Sequence, residues 1–279
     1  MRPRQVAGRV LRRARRAAAS LRLGLDHVVV PPQSERALRR RLRAEGASFA
    51  PRRPSPLWNG WVNRALLGRE EVEAAHDEVV ACGLPPHGDR PKNWDLLVAL
   101  GTILESCPPG ARILDAGAPH YARLLPWLYL YGYRELHGID LVYERAARLG
   151  PIRYERMDLT RTTFPDESFE AIACLSVIEH GVDVPAYVDE AARLLRPGGL
   201  LVTSTDFWCE PVETHGQEAY GVPIRILGPA DIEALVAHAA SRGLRPVRPL
   251  HLACRERAVR WERFGLDYTF VNVVLRKAG

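Results

Sequence analysis

The stretch ARILDAGAPHYARLL, residues 111–125, places an aspartate and a single glycine directly after a short apolar run. Gly117 permits a tight turn and a close backbone approach to a ligand, which a Cβ would obstruct. Asp140 closes a second apolar run (ELHGID), roughly 20 residues further on, the spacing at which an acidic side chain receives ribose hydroxyls. Together the two residues point to a nucleotide-type ligand, although a strand-ending Asp also commonly caps a helix. A nicotinamide enzyme would need GxGxxG here, and the sequence offers Gly117 followed by Ala118-Pro119-His120. A second group is Glu179-His180. A histidine titrates near neutral pH and can take a proton from a hydroxyl; the same pair can equally fix the loop that opens the next helix. A third is TDFWCEPVETHGQEAYGVPIRILGPAD, residues 205–231, which is long for a plain connection and carries Phe207, Trp208, His215 and Tyr220. Such loops are usually lids or binding segments. Its aromatic faces suit a sugar-like or other polyhydroxylated molecule, or else anchor the loop under a solvated polar face.

These groups need strands and helices to hold them. Apolar runs predict strands at 112–116, 135–140, 151–158, 170–177, 200–205, 245–252 and 267–276. Helical periodicity predicts helices at 69–82, from Asn93 to the Pro108-Pro109-Gly110 stop, and at 121–131, 184–196 and 230–241. In the helix opened by Asn93, the apolar stripe is Leu96, Leu97, Leu100, Ile103 and Leu104. This alternation predicts an α/β fold, a doubly wound, mostly parallel seven-stranded sheet of Rossmann-like type with a helical N-terminal extension. In such a sheet the ligand lies beyond the carboxyl ends of the strands, where the strand order reverses.

With 279 residues the chain can bury one sizeable domain and an appendage. The expected division is a basic segment at 1–45, a linker and helical cap at 46–92, and the main domain at 93–279; prolines and a glycine mark 46–57 as linker. The net charge of +6 is unevenly spread, since residues 1–45 hold 13 arginines against 3 acidic residues. Within them Val6, Val10, Ala14, Ala17, Leu21 and Leu25 recur at helical spacing between arginines, a basic amphipathic helix. It suits peripheral contact of residues 1–25 with an anionic membrane, a targeting peptide, an acidic partner, or an exposed leader. Lysine occurs only at Lys92 and Lys277; an arginine skew of this kind is a coding bias, and it argues against nucleic acid as a partner. No apolar run reaches the roughly 18 to 20 residues of a membrane span. Five cysteines without CxxC or a His pair at metal spacing predict free thiols, a reducing cytoplasmic setting and no metal.

From about residue 93 to 277 the chain resembles the class I S-adenosylmethionine-dependent methyltransferases, of the type 11-like small-molecule group. The resemblance rests on ILDAG, HGIDL, Met157-Asp158-Leu159, FPDESFEAIACLSVIEH and LLRPGGLLVTST, in this order and spacing. It implies S-adenosyl-L-methionine as cofactor, with Asp115 and Gly117 at its methionine end and Asp140 at the ribose. Asp158 and Leu159 would address the adenine, and Leu175 and Ser176 would border the sulfonium. The departure is Ala118-Pro119-His120, where the family usually repeats glycine. This cofactor carries no pyrophosphate, so one glycine and a small alanine can serve, although Pro119 removes an N–H donor.

The resulting expectation is a methyltransferase acting on a small-molecule acceptor, on an oxygen of a sugar-like or other polar metabolite. Glu179 and His180 are the catalytic candidates, and Phe207, Trp208, His215 and Tyr220 the acceptor contacts. The alternative is a non-catalytic binding or scaffolding protein on a degenerate methyltransferase fold.

Overall fold

The computed structural model describes Val29 and residues 31–279; the basic helix expected within residues 1–25 lies outside the described residues. The helices are α1 (Glu35–Ala44), α2 (Arg69–Ala81), α3 (Lys92–Ser106), α4 (Leu124–Leu130), α5 (Val184–Leu194) and α6 (Pro229–Ser241). The strands are β1 (Arg112–Ala116), β2 (Glu135–Ile139), β3 (Ala147–Leu149), β4 (Ile152–Glu155), β5 (Phe169–Leu175), β6 (Leu195–Phe207), β7 (Glu218–Ala219), β8 (Val222–Pro223), β9 (Leu244–Pro246), β10 (Val259–Trp261) and β11 (Leu266–Lys277).

One nine-stranded sheet runs in the order β10-β11-β6-β5-β1-β2-β4-β3, with β9 also paired to β11. β4, β2, β1, β5 and β6 are mutually parallel, and β11 lies antiparallel against β6. The seven expected strands are all present, and two short antiparallel strands, β3 and β10, are added at the sheet's edges. From β1 the chain proceeds outward through β2 to β4, then returns to the other side of β1 with β5 and β6. The order therefore reverses between β1 and β5, which puts the ligand crevice at their carboxyl ends.

Strand alternation divides the core into two layers. Ile113, Ala171, Ala173, Leu200, Val202, Phe270 and Val274 pack with α1 to α4. Leu114, Ile172, Cys174, Leu201, Val271, Val273 and Leu275 pack with α5 and α6. Both faces are covered, so the strands are apolar throughout, as buried parallel strands are. Every residue of α3 from Asn93 to Leu104 is buried, beyond the single stripe expected, because α2 and Trp58 and Trp61 cover its outer side.

The 46–57 stretch, expected as a linker, is tied down, and the residues after it enter the core. Arg52 pairs with Glu78 at 2.8 Å, and Arg53 Nη2 donates to the Leu104 carbonyl at 2.7 Å. Asn63, fully buried at φ 61°, donates through Nδ2 to the Arg248 carbonyl at 2.7 Å and accepts at Oδ1 from the Val274 N–H at 2.5 Å. Its own N–H donates to Asn272 Oδ1 at 2.8 Å. Among the described residues no helix separates β2 from β3; α1 packs there instead, with Leu38 and Leu42 in the core and the Gln33 N–H donating to the Arg148 carbonyl at 2.7 Å.

Five free thiols were expected, but Cys209 and Cys254 form a disulfide with their Cα atoms 5.9 Å apart, while Cys82, Cys107 and Cys174 are free and buried. The two partners are distant in sequence and meet only because the loop after β6 and the strap before β10 close over the same end of the sheet.

Replacing Asn63 with Ala strands a buried N–H and carbonyl and removes a residue type that tolerates the left-handed backbone. The expected cost is about 2–4 kcal/mol, read by urea denaturation; a loss within 0.5 kcal/mol, the usual range for an exposed site, would show that the pin does not hold β11.

Candidate active site

The carboxyl ends of β1, β2, β5 and β6 gather most of the residues singled out above. Gly117, at φ 84°, makes the turn after β1, and a Cβ added there would meet Val177 Cγ2 at 2.4 Å, so only glycine fits without displacing that side chain. The Gly117 and Ala118 N–H groups both donate to the Ile139 carbonyl, at 2.8 and 2.9 Å. They are turned into the sheet and are not available to wrap phosphate oxygens. The rest of the loop is held from outside: Tyr143 donates its hydroxyl to the Ala118 carbonyl at 2.8 Å, and Arg123 pairs with Glu45 just beyond α1.

Asp115 ends β1 almost wholly buried. Burial first, then the nearby Asp140 and Asp95, raise its pKa to about 7. Asp140 follows β2 and accepts from the Val142 N–H at 2.9 Å; burial raises its pKa, partly offset by the Val142 and Leu141 N–H groups. These residues fit a cofactor that is cationic and free of phosphate, since desolvated carboxylates favour a positive sulfonium or ammonium. Leu175 ends β5, and Ser176 follows it at φ 52°, a left-handed conformation that costs a non-glycine residue energy. Its N–H donates to the Ser204 carbonyl at 2.9 Å, which holds the turn. Asp158 sits further out; it is exposed and its Oδ1 accepts from the Thr160 N–H and hydroxyl at 2.9 and 2.7 Å, while Leu159 packs on the core edge.

Glu179 and His180 part company. Glu179 is buried, with Oε2 accepting from Thr205 Oγ1 at 3.0 Å and Oε1 enclosed without a partner among the described residues. Burial raises its pKa, opposed by the Lys92 charge and by the bond from Thr205. The helix opening that either residue might have served is capped by Asp183, whose Oδ1 accepts from the Ala186 N–H at 3.1 Å. No side-chain hydrogen bond among the described residues engages the His180 ring. It lies edge-on to Tyr220 and Trp261, with centroids 4.9 and 6.2 Å away, and Trp261 in turn meets Phe264 at 4.6 Å. Burial lowers its pKa, Lys92 adds to this, and Asp206 opposes it. The imidazole is therefore neutral at pH 7 and able to accept a proton.

The acceptor candidates separate in the same way. Phe207 is a correction: it is fully buried among Leu227, Ile232 and Val271, because β6 runs on to residue 207 and alternation turns that side chain into the lower layer. Trp208 is half-buried under the Arg257 guanidinium, 4.6 Å from its ring centroid. Tyr220 and His215 are exposed on the loop around the β7–β8 hairpin, both with positive φ. The structure adds Lys92, Asp95, Asp206, Tyr268 and Trp261, of which Asp206 alone lies in a stretch already marked by composition. No group of three or more metal-ligating side chains is gathered among the described residues.

Comparison with known proteins agrees with this geometry. Residues 114–203 match the family described as Methyltransferase domain. The ubiquinone biosynthesis O-methyltransferase of Xylella fastidiosa (strain M23) is 36% identical over 105 residues, 34% of this chain and 42% of that protein. The 2-methyl-6-phytyl-1,4-hydroquinone methyltransferase of Synechocystis is 26% identical over 126 residues, 39% of this chain and 40% of that one. The chain thus spans less than half the length of these curated relatives. Among solved structures, the Burkholderia thailandensis 1,6-didemethyltoxoflavin-N1-methyltransferase aligns with a TM-score of 0.49 and 17% identity, covering 77% of this chain and 92% of that one. The sheet order, five parallel strands with β11 antiparallel against β6, is of the Rossmann-like type. Residues 114–203 are thus similar to a methyltransferase domain, and the buried carboxyls at the crevice suit S-adenosylmethionine as its cofactor.

A carboxyl whose pKa is near 7 must be ionised to favour a cationic ligand, so cofactor affinity rises with pH through that value. Calorimetry with S-adenosylmethionine is expected to give about tenfold weaker binding at pH 6 than at pH 8. Asp115→Asn should bind more weakly and lose this difference; an unchanged pH dependence in the variant would remove Asp115 from the cofactor site.

Proposed function

We propose that the protein transfers a methyl group from S-adenosylmethionine to a hydroxyl oxygen of a small polyhydroxylated acceptor. The observation that carries the reading is the juxtaposition, at one switch point, of a glycine turn backed by Asp115 and Asp140 with a neutral, unbonded His180 beside buried carboxyls. The cofactor, when bound, supplies an activated methyl group. Asp115, Gly117, Asp140, Asp158, Leu159, Leu175 and Ser176 hold it by this reading. Methyl transfer to a hydroxyl requires that the oxygen be aligned and its proton removed, and much of the rate comes from that alignment. His180 takes the proton, and Glu179, fixed by Thr205, orients the hydroxyl. Trp208, His215 and Tyr220, with Trp261, supply the aromatic and polar rim that receives a ring and its hydroxyls.

His180→Ala is expected to lower turnover on the acceptor by about 100-fold or more while leaving S-adenosylmethionine affinity within about threefold. Because the His180 pKa is lowered, the wild-type rate should fall on acidification only at a lower pH than an ordinary imidazole base would give. A normal rate for the variant would eliminate His180 as the base. Failure of the wild type to bind S-adenosylmethionine or S-adenosylhomocysteine would favour the non-catalytic scaffold.

The acceptor's setting is indicated by the arginine-rich N-terminus, which by this reading brings the enzyme to an anionic membrane surface. α1 continues that charge with exposed Arg36 and Arg40. Deleting residues 1–28, which spares the α1 core contacts, is expected to abolish sedimentation with vesicles containing about 30% anionic lipid at low salt. Equal sedimentation of both forms would refute the membrane role.

A further inference from the structure

Two long connections meet over the carboxyl end of β6, and each has a stretch without backbone pairing. The Trp208 N–H donates to the Leu227 carbonyl at 3.0 Å, but residues 209–213 make no backbone hydrogen bond among the described residues. The His251 N–H donates to the Asn63 carbonyl at 2.9 Å, and residues 252–258 likewise make none before β10 begins at Val259. Side chains tie the second stretch to other elements: Glu256 Oε2 accepts from the Arg69 N–H at 3.0 Å, and Arg257 Nη1 donates to the Asp267 carbonyl at 3.1 Å. What joins the two stretches to each other is the Cys209–Cys254 bond and, beside it, the Arg257 guanidinium 4.6 Å from the Trp208 ring centroid.

Each stretch leads to an aromatic ring that faces His180. From Cys209 the chain runs to the β7–β8 hairpin, whose Tyr220 meets the imidazole at 4.9 Å. That hairpin is seated on the loop after β5, since a Cβ added at Gly181 would stand 3.2 Å from Val222 Cγ1. From Cys254 the chain runs to β10, whose Trp261 meets the imidazole at 6.2 Å. The bond thus closes a ring of elements around His180. It is also within reach of solvent: Cys209 and Cys254 are half-buried, next to exposed Glu210 and between exposed Ala253 and Arg255. Cys82, Cys107 and Cys174 are only 1%, 7% and 0% exposed, so thiol chemistry is confined to this pair.

We propose that Cys209 and Cys254 are a reversible redox site that sets whether the rim around His180 is closed or open. The inference rests on the reading of Tyr220 and Trp261 as the acceptor rim. A dithiol attacks one sulfur and forms a mixed disulfide, and its second thiol then releases the cysteine. The S–S bond is broken, two electrons and two protons pass to the cysteines, and the dithiol leaves as a disulfide; glutathione disulfide runs the exchange in reverse. Without the bond the two stretches keep only the contact of Arg257 with Trp208 between them, and the long loop after β6 opens without breaking a backbone pair. The cofactor turn is held separately, by the Gly117 and Ala118 N–H groups on the Ile139 carbonyl, so it does not follow the rim.

The test compares the full wild-type chain oxidised with glutathione disulfide, the same chain reduced with dithiothreitol and then freed of it under argon, and Cys209→Ser/Cys254→Ser. Peptide mass spectrometry should find Cys209 linked to Cys254 in the oxidised chain alone. Diethylpyrocarbonate, which acylates accessible neutral imidazoles, should modify His180 about tenfold faster in the reduced chain, and amide exchange in β10 and the β7–β8 hairpin should quicken by a similar factor. The double variant should behave as the reduced chain whichever reagent it meets; if it does not fold, the two states of the wild type decide alone. S-adenosylhomocysteine affinity should agree within about threefold across the three samples. Free Cys209 and Cys254 after oxidation, or equal His180 reactivity and exchange in the two states, would overturn the proposal. So would a redox-dependent change in S-adenosylhomocysteine affinity of about tenfold or more, which would place the control at the cofactor. A wild type that binds S-adenosylhomocysteine in neither state defeats the methyltransferase reading separately, since bond mapping, acylation and exchange need no ligand.

Discussion

Five carboxyl groups, those of Asp95, Asp115, Asp140, Glu179 and Asp206, are crowded at one end of the sheet, and burial raises the pKa of each. Much of the molecule can be understood as the means of tolerating that concentration of charge. Each carboxylate would be repelled by the others in a medium that screens poorly. Hydroxyls of Ser204 and Thr205, the N–H groups of Leu96 and Val142, and the one nearby ammonium of Lys92 offset part of the cost. What remains uncompensated around Asp115 and Asp140 is a preference for a positive ligand, and that preference is the chemical basis for assigning the crevice to a sulfonium cofactor.

The scaffold that makes this arrangement rigid extends well outside the matched domain. β11 must lie against β6 for Phe270 to sit beside Asp206, and β11 is itself pinned by Asn63 through the Asn272 amide and the Val274 N–H. The segment carrying Asn63 also covers α3, whose first turn delivers Lys92 and Asp95. Residues 46–92 thus link the outer edge of the sheet to the site, through the Asn63 hydrogen bonds on one side and the packing of Trp58 and Trp61 on α3 on the other. On the other edge, α1 fills the place where a helix after β2 would pack, and Glu45 beyond its end reaches Arg123 at the far side of the cofactor turn.

The turn after β1 works with a single glycine because its donors are spent on the sheet. Gly117 and Ala118 bond the Ile139 carbonyl, so Pro119, which has no N–H, removes nothing the turn was using. A pyrophosphate cofactor would need those donors free; a sulfonium does not. Ser176 and the disulfide between Cys209 and Cys254 frame the opposite side of the crevice, one by a backbone held in the left-handed region and the other by joining the long loop after β6 to the strap before β10.

Sequence alone determined the central strands, the doubly wound order and the positions of Gly117, Asp115 and Asp140, because these depend on local apolar periodicity and on a turn that tolerates no Cβ. It also marked Glu179-His180 as candidates, either for acid–base chemistry or for fixing the following loop, without separating the buried Glu179 from the His180 ring that faces Tyr220 and Trp261. It misplaced Phe207, since β6 continues two residues beyond its apolar run and strand alternation then commits that side chain to the lower layer, beside Leu227 and Ile232, where a loop residue would have been free to face the site. It held no signal for the Cys209–Cys254 pair or for α1 as part of the core. Only the tertiary structure could bring Lys92 and Asp95 to Ser204, Asp206 and Phe270. Those contacts join residues more than 100 positions apart, and neither periodicity nor motif spacing carries information over that distance; it is the packing of α3 under β6 and β11 that makes them neighbours.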